Sequence, residues 1–168
     1  MNQSIIEEHA RRLGQLVGNL LTIEMGARMV VAKLDRWQER QITTQFSKVK
    51  QGDWVELSPL TNGDDLSQTL EKYNKYAPVD CRVEVRQIVR LRDALAHGRA
   101  FGFGPYTPAT PLRLLKFGTK KQENKVEVMM AVDMTNEWFR ENNKFLFDAL
   151  KKITKALNYE MHDLQIHG

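Results

Sequence analysis

The sequence predicts a mainly α-helical protein, a bundle of four to five helices with a β-hairpin inserted before the C-terminal helix. Four stretches repeat apolar residues at the three- and four-residue spacing of an amphipathic helix. Another stretch, at about 112–132, consists of two strand-like runs around a polar turn, which is typical of a hairpin. The length of 168 residues, without an internal repeat or a linker, indicates one domain spanning 1–168.

The first helix is predicted from Ser4 to about Asp35, where apolar residues recur at helical spacing. Gly14, Gly18 and Gly26 interrupt this pattern, and each costs about 1 kcal/mol of helix propensity relative to alanine. We expect a closely approaching helix to compensate for these glycines. That neighbour could belong to the same chain or to a second copy across a dimer axis.

Residues 36–60 are harder to assign. The part over 37–49 mixes polar and apolar side chains without a clear period and could extend or follow the first helix, whereas 53–57 resembles a short extended segment that ends at Ser58-Pro59. A shorter helix is predicted over 64–76, because Leu66, Leu70 and Tyr73 share one side of it. A proline two residues further on fits the end of this helix, because proline cannot continue a helix.

A third helix is predicted to follow the N-cap Asp80 and to run to about His97. Gly98 is the expected stop just past its C-terminus. Its apolar residues recur at helical spacing: they are Val83, Val85, Ile88, Val89, Leu91 and Leu95. The segment 101–111 then combines glycine, proline and aromatic residues, which predicts an irregular loop.

The hairpin is predicted between this loop and the last helix. Residues 112–117 and 126–132 are the two strands, and the polar segment 118–125 is the turn between them. The last helix is predicted to begin after Thr135, which has the side chain of a good N-cap. Together these elements give the helical bundle with its inserted hairpin.

Composition limits the class of protein. The net charge of +4 at pH 7 and the pI of about 9.2 are compatible with an RNA partner. The single Cys81 excludes an internal disulfide framework, and the dispersed histidines predict no metal site and no cofactor. No signal peptide and no membrane-length apolar stretch is recognisable, so we expect a cytoplasmic protein with no membrane partner.

The most informative stretch is Arg92-Asp93-Ala94-Leu95-Ala96-His97, which sets a cation, a carboxylate and a titratable imidazole at the end of one helix. Asp93 and His97 are four residues apart and can face each other across one turn. Arg92 lies about 140° around the helix from His97. The two therefore reach a common site only through the long arginine stem, a loosened last turn or a second chain.

The run from Leu91 to Arg99 resembles the signature of the HEPN domains, in which an arginine and a polar residue precede a histidine near a helix end. Many HEPN proteins are metal-independent ribonucleases of toxin–antitoxin, abortive-infection and RNA-processing systems, whereas others serve as binding modules. The resemblance implies a helical bundle that forms a homodimer, with the catalytic helices of two subunits meeting across a twofold axis.

The resemblance also implies an endoribonuclease whose products are a 2′,3′-cyclic phosphate and a 5′-hydroxyl. His97 would act as base or acid, because histidine titrates near neutral pH. Arg92 would hold the phosphate and neutralise its developing charge. Asp93 would orient the imidazole, and Arg92 of one chain would complete a site with His97 of the other.

Further residues are candidates for contacts with nucleic acid through charge or stacking. They are Arg90, Arg99, Phe101, Lys120 and Lys121. A solvated charge at Arg99 and a packing role for Phe101 are the more common explanations. Glu24 and Arg28, four residues apart on the first helix, are interpreted as an ordinary surface ion pair.

Three interpretations of the Arg92 to His97 stretch stay open. The first is the ribonuclease of defence or toxin type, for which a protein antitoxin is a possible partner. The second is a catalytically inactive HEPN-like module that binds nucleic acid, a nucleotide or a protein. The third is a dimeric interaction scaffold, in which His97 satisfies the carbonyls of the helix end and Arg92 pairs with an acid.

Overall fold

The computed structural model describes residues 3–34, 46–102 and 111–159. In these ranges the chain is mainly helical with one small antiparallel sheet, as the sequence predicts. The four helices are α1 (Gln3–Leu34), α2 (Leu66–Tyr76), α3 (Val85–His97) and α4 (Asn136–Leu157). The three strands are β1 (Arg99–Phe101), β2 (Arg113–Gln122) and β3 (Lys125–Asp133).

The chain divides into two compact units. One combines Met1–Leu20 with Arg86–Phe147, and the other combines Leu21–Val85 with Asp148–Gly168. The buried apolar side chains of the first unit include Leu16, Ile88, Leu91, Leu114, Phe139 and Leu146. Those of the second unit include Ile23, Val30, Leu70, Tyr73 and Ile153.

The glycines of α1 have different surroundings. A Cβ at Gly26 would lie 2.7 Å from Cγ2 of Ile153 on α4, so a neighbour in the same chain approaches closely there. At Gly14 and Gly18 a Cβ would meet no atom of the described residues within 4 Å. Among these three glycines, only Gly26 has the expected close neighbour within the described residues.

The helix predicted over 64–76 is confirmed, with its first residue at Leu66. Asp65 forms a capping box with Gln68: its Oδ1 accepts from the Gln68 N–H at 2.8 Å, and its own N–H donates to Gln68 Oε1 at 3.0 Å. This reciprocal pair satisfies two of the N–H groups that a helix start leaves free.

Asp80 does not cap α3, which corrects the sequence prediction. It lies in a 3₁₀ turn, Val79–Cys81, and α3 begins only at Val85. Lys155 on α4 donates to its carboxylate at 2.5 Å, and this hydrogen bond lowers the pKa of Asp80. A lysine that is distant in the sequence thus takes the side chain that a local capping rule would use.

The predicted hairpin is confirmed, but its strands are longer and its turn is shorter. β2 and β3 continue to the two-residue turn Glu123–Asn124, whose φ angles are 47° and 63°. Positive φ at both central residues is typical of the type I′ hairpin turn. The outer part of β3 is exposed on both sides, so apolar alternation could not mark it as a strand.

The sequence does not predict β1, which follows α3 almost at once. It pairs with β2 through Arg99↔Leu115 and Phe101↔Arg113, giving the strand order β1-β2-β3. The glycine- and proline-rich loop predicted there lies mostly in 103–110, outside the described residues.

Both ends of α4 are closed by side chains. The N–H of Trp138 donates to Oγ1 of Thr135 at 3.0 Å, which confirms the predicted N-cap. At the other end, Nζ of Lys33 donates to the carbonyl oxygens of Leu157 at 2.8 Å and Tyr159 at 2.7 Å. Lys33 therefore satisfies carbonyl groups that the helix end would leave free.

Arg28 is not part of an ordinary surface ion pair, which corrects the interpretation of Glu24 and Arg28. The arginine is 8% exposed, and its guanidinium group lies 3.1 Å from Oε1 of Glu24. It also donates to the loop that precedes α2, through the oxygens of Pro59, Asn62 and Asp64. Arg28 thus fixes this loop to α1.

Candidate functional site

The Arg92 to His97 stretch lies at the C-terminal end of α3. One side of this helix is buried through Ile88, Leu91 and Ala94. This packing fixes the rotation of the helix, so the side chains of Arg92 and Asp93 remain 35% and 30% exposed. Both charged groups are therefore within reach of a molecule from solution.

Position 98, directly after α3, requires glycine for a steric reason. A Cβ there would clash with the carbonyl oxygen of Ala94 and would lie 2.7 Å from Cδ1 of Leu114 on β2. The Gly98 N–H still donates to the Ala94 carbonyl at 2.8 Å, so the last turn is a regular α-helical turn. A loosened last turn therefore does not bring Arg92 and His97 together.

β2 brings a lysine to this helix end. Because Arg99 of β1 pairs with Leu115, the flanking residues Leu114 and Lys116 share the opposite side of β2. Leu114 is buried beside Gly98, and Nζ of Lys116 lies 3.7 Å from Oδ2 of Asp93. Lys116 is thus a member of the site.

The Asp93 carboxylate lies between two cations. Its Oδ1 is 3.0 Å from Nη1 of Arg92, and its Oδ2 faces Lys116, whose side chain is 24% exposed. Within the described residues, no hydrogen bond or ion pair joins Asp93 and His97. The expected pairing of these two residues across one helical turn is therefore not formed, because Asp93 is held by Arg92 and Lys116.

The His97 imidazole is exposed. Within residues 3–34, 46–102 and 111–159 it has no hydrogen-bond or ion-pair partner, and it does not bind the terminal carbonyls of α3. Arg92 does pair with an acid, Asp93. Of the predicted structural capping arrangement, the ion pair of Arg92 with an acid is therefore present. The bonds from His97 to the helix-end carbonyls are absent among the described residues.

Arg99 and Phe101 both lie on β1, directly after the helix end. The guanidinium carbon of Arg99 is 5.4 Å from the ring centroid of Phe117, a cation–π contact that holds this exposed arginine over the sheet. Phe101 is half-buried and pairs with Arg113 in the β1–β2 register.

The other nucleic-acid candidates are more dispersed. Arg90 is exposed on α3, and Lys120 is exposed on β2, four residues and therefore roughly 13 Å along the strand from Lys116. The side chain of Lys121 lies outside the described residues. The structure thus brings Arg92, Asp93 and Lys116 into contact, whereas the remaining candidates stand apart from this group.

The sequence reasoning missed Lys116. A signal existed, because 112–117 is predicted as a strand and Lys116 lies two residues from Leu114, on the same side. What the sequence could not show is that this side of the strand faces α3. That arrangement depends on β1, which the sequence does not predict.

Arg92, Asp93 and Lys116 together carry a net charge of +1, at the helix end that also exposes the His97 imidazole. Such a group can bind an anion with two oxygens, such as a phosphate. In the described parts of the chain, no group of three or more His, Cys, Asp or Glu side chains is arranged to hold a metal ion.

Comparisons with protein-family models, with curated proteins and with solved structures found no match to this chain. In the part of the chain that the structure describes, no helix is both long enough and apolar enough to span a membrane.

Proposed function

We propose that this protein is an HEPN-like, metal-independent endoribonuclease of defence or toxin type, in which Arg92 and His97 carry the chemistry. One observation supports this above all others. Both side chains are accessible to solvent at the end of one helix, and neither forms buried hydrogen bonds or ion pairs with the rest of the described chain. A purely structural helix end would use them internally.

The proposed reaction cleaves RNA with the substrate's own 2′-hydroxyl as nucleophile. A base removes the 2′-hydroxyl proton, the 2′-oxygen bonds to phosphorus, and the bond from phosphorus to the 5′-oxygen breaks. An acid protonates the departing 5′-oxygen, which leaves a 2′,3′-cyclic phosphate and a 5′-hydroxyl. His97 serves as base or acid, and Arg92 stabilises the charge on the phosphate oxygens.

A second copy of the chain has a specific part in this proposal. Arg92 and His97 lie about 140° apart around a regular helix, so one copy presents them to different sides. In a homodimer whose α3 helices meet across a twofold axis, Arg92 of one copy acts with His97 of its partner. Within each copy, Asp93 pairs with the Arg92 guanidinium at 3.0 Å.

The decisive experiment is cleavage of a labelled single-stranded RNA by the purified protein in the presence of EDTA. We expect His97→Ala to reduce the rate by about 10²-fold to 10⁴-fold, the usual contribution of an acid or base. We expect Arg92→Ala to cost about 10²-fold to 10³-fold. His9→Gln, a histidine change on α1, is the matched control and should leave cleavage unchanged.

The products provide a second readout. A 2′,3′-cyclic phosphate end is expected, and an oligonucleotide with 2′-O-methyl groups throughout should not be cut. Cleavage that survives in His97→Ala, or that needs a divalent metal, would exclude this mechanism.

Mixing two inactive variants tests the shared site. Arg92→Ala still has His97, and His97→Ala still has Arg92, so a mixed dimer contains one intact composite site. Random exchange should therefore restore about a quarter of the wild-type rate. If both residues act within one chain, the mixture remains inactive.

The main alternative is an inactive HEPN-like module that binds nucleic acid, a nucleotide or a protein partner. The contact of Asp93 with Arg92 and Lys116, and not with His97, favours this alternative because it builds an anion site without an oriented base. Such a module would bind RNA in the same assay and would leave it intact.

A further inference from the structure

We propose that, in the RNA-free protein, the Asp93 carboxylate occupies the place of an RNA phosphate between Arg92 and Lys116. Lys116 is then a second phosphate-binding cation of the site, and Asp93 must give way when RNA binds. This inference rests on the proposed function, and it specifies how the same site receives its substrate.

The positions of the three side chains are the first support for this proposal. Each oxygen of the carboxylate faces a different cation, Oδ1 at 3.0 Å from Arg92 and Oδ2 at 3.7 Å from Lys116. A phosphodiester offers the same feature, two anionic oxygens on one centre, to the same two cations. The carboxylate therefore resembles the ligand in both charge and shape.

The weakness of the contacts around Asp93 is the second support. A charge-assisted hydrogen bond from nitrogen to oxygen is about 2.7–2.9 Å long. The Lys116 contact is longer than that, and all three side chains are partly exposed, so water screens their attraction. A phosphate from solution can replace the carboxylate without opening a buried interior.

The ion pair of Glu24 and Arg28 shows the contrast. Arg28 is buried, and three further oxygens of the loop before α2 accept hydrogen bonds from it. An exchange of its partners would leave several partly buried acceptors without a donor. The Arg92 and Lys116 cations lack such a set of described internal acceptors, which suits groups that change partners when a ligand arrives.

The net charge of the three side chains is the third support. Arg92 and Lys116 supply two positive charges, and Asp93 cancels one of them. A bound phosphate would lie close to the Asp93 carboxylate, and like charges repel at that distance. Removing the charge of Asp93 should therefore strengthen RNA binding. A role for Asp93 in supporting the phosphate contacts predicts the opposite result.

The test is the binding of a fluorescent 2′-O-methyl RNA oligonucleotide, which cannot be cleaved through its 2′-oxygen, measured by fluorescence anisotropy across a salt series. We expect Lys116→Gln to raise Kd about threefold to tenfold and to lower the salt slope by about one. Lys116→Arg should keep near wild-type affinity, because it keeps the charge. Asp93→Asn should lower Kd by a similar threefold to tenfold.

Lys144→Gln is the matched control, because Lys144 is exposed on α4 and takes no part in the site. Its Kd should stay close to wild type. The inference is overturned if Lys116→Gln binds no worse than this control, or if Asp93→Asn binds RNA equally well or more weakly. Circular dichroism of each variant confirms that the fold is intact.

The outcomes separate this inference from the proposed activity. If the protein binds RNA with the expected pattern and cleaves nothing, the ribonuclease is wrong and the exchange of Asp93 for phosphate stands. If RNA is cleaved through His97 while the variants at Lys116 and Asp93 bind like wild type, the ribonuclease stands and the exchange of Asp93 for phosphate is wrong. If neither wild type nor Asp93→Asn binds RNA, both are wrong.

Discussion

Gly26 of α1 and Ile153 of α4 approach so closely that a methyl group on the glycine would lie 2.7 Å from Cγ2 of the isoleucine. Ile153 is 1% exposed and branched at Cβ, so it cannot easily move aside. We expect Gly26→Ala to lower the free energy of unfolding by about 1–3 kcal/mol through overpacking. Urea denaturation measures the change.

The matched control is Gly14→Ala on the same helix. A Cβ there meets no described atom within 4 Å, so the substitution should gain helix propensity and raise stability by up to about 1 kcal/mol. Equal effects of the two alanines would contradict the close packing at Gly26.

Arg28 should be among the costliest polar residues to replace. In Arg28→Met the oxygens of Pro59, Asn62 and Asp64 lose a donor, and the Glu24 carboxylate loses its partner. We expect a loss of about 2–4 kcal/mol in the free energy of unfolding, because partly buried acceptors are left unpaired. Chemical denaturation gives the value.

Arg11→Met is the comparison for this change. Arg11 pairs with Glu8 on the exposed side of α1, where water competes for both groups. Its replacement should have little effect on stability. If the two variants unfold alike, the loop before α2 is not held by Arg28.

Thr69 on α2 offers a stabilising substitution. The residue is 3% exposed, and its Oγ1 has no hydrogen-bond partner among the described residues. Thr69→Val replaces the unpaired hydroxyl with a methyl group of similar size, so we expect a gain of about 1 kcal/mol. Thr69→Ser keeps the hydroxyl and should destabilise. A melting temperature that falls in both variants would refute the prediction.

Stability should depend on His9 near neutral pH. Burial, together with the charge of Arg12, lowers the pKa of His9 from its ordinary 6.5, and its ring lies edge-on to Phe139 at 5.3 Å. The unfolded chain therefore binds a proton more readily than the folded one, and stability is lost as pH falls through 6.5 toward the folded value.

The measurement is the free energy of unfolding between about pH 7.5 and about pH 5.5, the range in which histidine titrates. We expect a decline toward the acid end in wild type and a smaller decline in His9→Gln. The carboxylates whose pKa is lowered, such as that of Asp80, lose their stabilising charge only at more acid pH. An unchanged slope in the variant would exclude His9 as the cause.

Local patterns were sufficient for most of the helices and for the existence of the hairpin. Apolar spacing marks α3 and α4, and Thr135 and Gly98 mark ends that the structure confirms. The outer half of the hairpin could not be recognised, because both of its sides are exposed and no alternation arises.

The contacts of the site depend on residues that are distant in the sequence. The sequence predicts that Asp93 faces His97, which is near it on the helix, whereas in the structure Asp93 contacts Lys116 on β2. The sequence predicts Asp80 as the N-cap of α3, whereas in the structure it binds Lys155. In both cases the aspartate pairs with a lysine from another element and not with its local partner. Which lysine lies near depends on the tertiary fold.

The irregular pairing of the hairpin has a consequence for how the protein behaves at high concentration. β3 is an outer strand of the described sheet and exposes the apolar side chains of Val126, Val128 and Met129. An exposed apolar edge strand favours the addition of a strand from another chain. The register between β2 and β3 shifts twice, however, and such shifts bend and twist the strands. A distorted edge of this kind cannot be matched along its length by an incoming strand, so it acts against aggregation.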